Sequence, residues 1–175
     1  MSSNWRISSF NGLLLAAYFI PTWAITAFRI MTSPVHGLYE RPSISVALFI
    51  SDHLQLASTV TVRVAWLLAL GRLTVVAFFA IFVFFAARAS IRKTGGYDEA
   101  LAIALAIGSV ISFASMWMAS QVGETAALRL HATELLMMLG TAVVLLVERP
   151  AQSPTNPAVT PDVLALEQSQ LPYNC

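Results

Sequence analysis

Four stretches of the chain stay apolar for long enough to cross a bilayer: about residues 12–31, 64–88, 99–119 and 129–148. A spanning helix needs about 20 such residues, and polar positions here punctuate the runs instead of alternating with them. The pattern predicts an all-α integral membrane four-helix bundle over residues 1–149, its spans ordered as two hairpins. A long, structured loop separates the first and second spans.

That loop carries its own signals. Pro34, Gly37 and Pro42 break it, and Ser43 can cap the short apolar segment ISVALFI, which is too short to span and belongs at the interface or against the bundle. Asp52 stands three residues before Gln55, the spacing of a capping box that would open a new helix. Run unbroken to Arg92, that helix would be about 60 Å long at 1.5 Å per residue, roughly twice the hydrocarbon thickness. It must bend, break or protrude. The strand-like alternation from Thr59 to Val64 marks the expected break. Pro21 predicts a kink in the first span, because it removes one backbone hydrogen bond and crowds the Ala17 carbonyl.

Composition agrees with a membrane protein: of 175 residues, 57% are hydrophobic and only 11% charged. The net charge of +1 comes from scattered basic residues, which excludes a nucleic-acid footprint and a polybasic lipid patch. The lipid bilayer is the expected partner, with other membrane subunits beside it. Cys175 is the single cysteine, so an internal disulfide framework, a CxxC redox pair and a cysteine-ligated zinc site are excluded. The first apolar run exceeds a signal-peptide core and is expected to be retained.

Arg6, Arg88, Arg92, Lys93 and Arg149 sort to one side, and the positive-inside tendency makes that side cytoplasmic. Arg29, Arg41, Arg63 and Arg129 fall on the other, diluted by Glu40, Asp52 and Glu124. The expected setting is a bacterial-type inner membrane with both termini cytoplasmic. Residues 150–175 form a Pro-rich cytoplasmic tail, with a short helix expected from Asp162 to about Gln170. No internal repeat is present, which disfavours an inverted-repeat transporter within one chain.

Two spans carry packing information. Ala100, Ala104, Gly108 and Ser112 recur every four residues and form a ridge that another helix can approach closely. Phe78, Phe79, Phe82, Phe84 and Phe85 form a bulky surface suited to lipid or core contact, or else to a pigment or quinone pocket.

The candidate chemistry centres on Arg72. An ionised guanidinium at that depth costs about 2.5–3.5 kcal/mol on insertion scales, so it needs a partner or a task. Glu134 lies about one turn into the fourth span, where a pair with Arg72 would fix the register of two helices. His131 shares a helical face with Glu134 at i and i+3. The same group could instead form a proton or quinone site, and Arg72 could face another subunit or a lipid phosphate. A b-type haem needs two axial ligands; His36, His53 and His131 are the candidates. His53 with His131 is the pairing to test, Asp52 orienting the former.

The segment Ala127-Leu128-Arg129-Leu130-His131 resembles the Ala-x-x-x-His spacing of bacterial light-harvesting polypeptides over five residues, and the resemblance implies bacteriochlorophyll ligation by His131. The only lysine, Lys93, lies in a loop, so a rhodopsin-type Schiff base has no lysine within a span. His131-Ala132-Thr133-Glu134 is one reversed copy of the repeat a di-iron site needs twice. Phosphate-binding glycine loops, HExxH and GxSxG are absent from the sequence.

These features favour a non-catalytic accessory or stabilising subunit of a larger, energy-transducing inner-membrane complex. A redox protein binding haem or quinone near His53, His131, Glu134 and Arg72 is the alternative. A small transporter or channel component, with Arg72 attracting an anion, is the second.

Overall fold

The computed structural model describes residues 7–54, 57–88 and 98–148. Arg6, Gln55, Arg92, Lys93, Arg149, the Pro-rich tail with its expected helix, and Cys175 lie outside them. Four long helices dominate: α1 (Ile7–Thr32), α4 (Ser58–Ala87), α5 (Asp98–Val122) and α6 (Thr125–Glu148). Between α1 and α4 come two short helices, α2 (Pro34–Leu38) and α3 (Ile44–Phe49), the latter running on into a π-helical turn, Ile50–Leu54. The shortest of the four long helices has 24 residues, about 36 Å, so each can cross a membrane. The chain is a multi-pass, all-α membrane bundle.

Two local expectations need correction. The break before α4 falls ahead of the alternating segment: Ala57 is extended at ψ 147°, and Thr59–Val64 are helical. Alternation loses there because the buried positions of α4 recur at helical spacing (Ala65, Ala69, Arg72, Val75) and bind it to the bundle by one face. Asp52, for its part, does not open a helix. It lies exposed inside the π-helical turn that closes α3. Helix α1 runs on through Pro21, where the Thr22 hydroxyl donates to the Tyr18 carbonyl at 2.6 Å.

The bundle is assembled chiefly from the α5–α6, α1–α4 and α4–α5 contacts, with α3 laid against α5. Its apolar interior has two parts. One holds Phe19, Val75, Phe79, Phe82, Leu101 and Met138; the other holds Ala27, Ile30, Leu38, Val46 and Ala69 under the α2–α3 segment. Phe79 and Phe82 of the aromatic surface are thus core residues, with Phe79 stacked on Phe19 at 5.8 Å, while Phe84 points outward. The small-residue ridge is buried as well. A Cβ added at Gly108 would stand 2.7 Å from Met138 Sδ of α6, so the ridge is a contact within the chain. Leu67, Leu70, Val110, Phe113, Leu136 and Val147 face outward, as a hydrocarbon solvent permits.

Both ends of the bundle are tied. The Glu148 carboxylate accepts from the Ile7 and Ser8 amides, each at 3.0 Å, which caps α1 and opposes a negative charge to its dipole. The start of α1 and the end of α6 therefore share a face. At the opposite end Gly123, at φ 71°, ends α5, and the Glu124 amide donates to the Ala119 carbonyl at 3.0 Å. This is a left-handed helix stop, for which glycine is suited.

Glycine substitutions separate close packing from open surface. A Cβ at Gly37 would lie 2.7 Å from backbone atoms of Ile30, whereas one at Gly140 meets nothing within 4 Å. Gly37→Ala is expected to destabilise the protein by about 1–3 kcal/mol, the usual cost of overpacking. Gly140→Ala should be neutral or stabilising by up to about 1 kcal/mol. Unfolding in detergent checks both; equal effects would show that α2 does not press on α1.

Candidate functional site

Four of the buried residues with polar groups stand at one level of the bundle. Trp23 on α1, Arg72 on α4, Ser112 on α5 and Glu134 on α6 each lie about 21–24 Å along their helices from the Glu148 end, at 1.5 Å per residue. All are buried; Arg72 is 2% exposed, His131 3% and Glu134 4%. Such burial denies them water, so their bonds must come from the protein.

Arg72 turns toward the α2–α3 segment. Its Nη1 donates to the Ser43 hydroxyl at 2.8 Å and its Nη2 to the Pro42 carbonyl at 2.9 Å, while Nε has no partner among the described residues. Ser43 stands at the N-cap position of α3 but makes no side-chain capping bond, because its oxygen receives the guanidinium instead. Its backbone carbonyl still accepts the first amides of α3, from Val46 and Ala47. A charge on a spanning helix thereby holds a segment too short to span.

Glu134 gathers three polar neighbours. Trp23 Nε1 donates to Oε1 at 3.3 Å, the Ser112 hydroxyl to Oε2 at 3.4 Å, and His131 Nδ1 lies 3.0 Å from Oε2. In the tautomer that carries its proton on Nδ1, His131 donates to Glu134 and keeps its lone pair on Nε2, which has no partner among the described residues.

The expected contact of His131 with Glu134 is present. Direct bonding of Arg72 to Glu134 is not, since the Arg72 donors reach Ser43 and Pro42. The Trp23 indole links the two charges: its ring centroid lies 5.9 Å from the guanidinium carbon, within cation–π range, and its N–H bonds Glu134. Sequence reasoning missed Trp23, Pro42 and Ser43 as partners. The available signal was a lone indole N–H inside a span, which needs an acceptor there.

The histidines part company. His53 is exposed on the π-helical turn and stacked on Phe49 at 4.9 Å, His36 is exposed on α2, and His131 is buried on α6. The structure does not bring His53 and His131 into contact. Ala127, the other end of the Ala-x-x-x-His segment, is buried beside His131, whereas Arg129 is exposed. Among the described residues no group of three or more histidine, cysteine or acidic side chains could hold a metal ion.

No family model, curated protein or solved structure matches the chain. The buried polar level can stabilise charge and hold a proton but is closed to a bulky substrate.

A double-mutant cycle tests the coupling across Trp23. Arg72→Met is expected to cost about 3–5 kcal/mol, because it leaves the Pro42 carbonyl unpaired and Glu134 without a nearby cation. Ser43→Ala should cost about 1 kcal/mol. Arg72→Met combined with Glu134→Gln should cost less than the sum of the two by roughly 0.5–3 kcal/mol. Strict additivity in unfolding experiments would mean that the two charges do not sense each other.

Proposed function

We propose that this protein is a non-catalytic accessory or stabilising subunit of a multi-subunit complex in a bacterial-type inner membrane. The reading has its N- and C-terminal face on the cytoplasmic side, in keeping with the basic residues there. The observation that carries it is the use to which the chain puts its costliest groups. Arg72 fixes the α2–α3 segment, Glu134 joins α1, α5 and α6, and Glu148 caps α1. Each braces one element against another, and the deepest are closed to solvent. Such bracing favours a rigid membrane scaffold over a reaction site.

The small-residue ridge and most of the aromatic surface are spent within the bundle, so a partner subunit would meet the outward apolar faces of the spans. Purification in a mild, non-ionic detergent is expected to yield the chain with a stoichiometric membrane partner. A solitary monomer from several such detergents would sink the proposal.

A redox reading retains one specific support: His131 Nε2 has no partner among the described residues, and Nδ1 lies 3.0 Å from a carboxylate oxygen. Histidines that ligate a haem iron or a chlorophyll magnesium commonly have that second bond. An absorption spectrum separates the readings. The accessory role predicts a colourless protein, whereas a Soret or bacteriochlorophyll band lost in His131→Ala would favour a bound pigment.

A further inference from the structure

The outer seam between α1 and α4 carries a groove that the polar layer and the accessory role do not use. At its upper part a cavity of about 650 Å³ is lined by Met31 of α1 and by Val62, Arg63, Trp66, Leu67 and Leu70 of α4. Arg63, Trp66, Leu67 and Leu70 stand at i, i+3, i+4 and i+7, so they form one stripe of the helix. A second hollow of about 590 Å³ adjoins it through Met31 and continues past Phe28 to Leu73.

We infer that this groove binds an anionic phospholipid, with its phosphate on Arg63 and one acyl chain along Leu67, Leu70 and Phe28. Three observations select that occupant. The run from Arg63 to Leu73 is ten residues, about 15 Å along the helix, which is half of a hydrocarbon core about 30 Å thick. The groove is therefore one leaflet deep. Its chemistry is graded in the same sense, with a cation at the mouth, an indole one turn below at the depth of the aromatic belt, and only aliphatic and aromatic carbon beyond.

The third observation is the state of the two arginines at the mouth. Arg29 is engaged by Glu40 at 3.0 Å. Arg63 is exposed and has no hydrogen bond or ion pair among the described residues. A phosphate diester supplies the charge and the acceptor oxygens that a guanidinium at this position lacks. One arginine at the end of an apolar groove differs from a basic patch, because it selects a lipid that must also fit its chain.

Quenching by brominated lipid reads the site through Trp66. In a Trp5→Phe/Trp117→Phe background, the protein is reconstituted in dioleoyl-phosphatidylcholine vesicles holding increasing fractions of dibrominated phosphatidylglycerol or dibrominated phosphatidylcholine. Trp23 stays as a buried, constant background. Trp66 is expected to favour phosphatidylglycerol by about fivefold, the worth of one cation at an anionic surface. Arg63→Gln should bring the ratio to about one. A companion protein with Trp66→Phe that keeps the half-exposed Trp117 should show no preference, with or without Arg63→Gln.

Equal quenching of Trp66 by both lipids would overturn the proposal. So would the absence of quenching by either, which would mean that protein covers the groove.

Discussion

A buried guanidinium with a backbone carbonyl and a hydroxyl as its partners is the contact on which this structure depends. Arg72 lies midway along α4, where neither water nor a lipid headgroup can reach it, and its bonds to Pro42 and Ser43 draw the α2–α3 segment down onto the bundle. Irregular backbone survives at such depth only when protein satisfies it. The Pro42 carbonyl needs the arginine as much as the arginine needs an acceptor. Around that contact the rest is ordered: one apolar cluster lies beneath the α2–α3 segment, another lies on the far side of the polar layer, and Glu134 supplies the opposite charge through Trp23.

Apolar burial explains little of how such helices find each other, because lipid tails are as apolar as leucine. Specificity has to come from shape and from polar groups that hydrocarbon cannot satisfy. Shape is supplied where Met138 seats on Gly108 and where Phe82 and Leu101 close over Gly12. Polarity is supplied by Glu134, whose two oxygens are reached from three different helices. A shift of any one helix by a single residue would rotate its donor out of reach, so the layer sets register as well as contact.

The sequence carried the spans clearly, since a run of 20 or more apolar residues is its own signal and does not depend on neighbours. The His131–Glu134 contact was legible too, because i and i+3 fix the geometry within one helix. Partners across elements were not. Ser43 followed by an apolar segment is the ordinary signature of a helix cap, and only the fold shows that Arg72, 29 residues later, takes the hydroxyl. The break before α4 falls elsewhere for a related reason: alternation in a short β-branched stretch is weak evidence beside a helical face that packs from Ala65 to Ala86. Pairing Arg72 with Glu134 directly followed from charge alone, and the intervening indole was invisible without the positions of three helices.

The cap that Glu148 places on α1 bears on how the protein is made. Its two halves are 140 residues apart, and α1 leaves the ribosome first. At about 5–20 residues per second, roughly 7–28 seconds pass before the carboxylate exists. Closure of the bundle at this end therefore waits until α6 has been made.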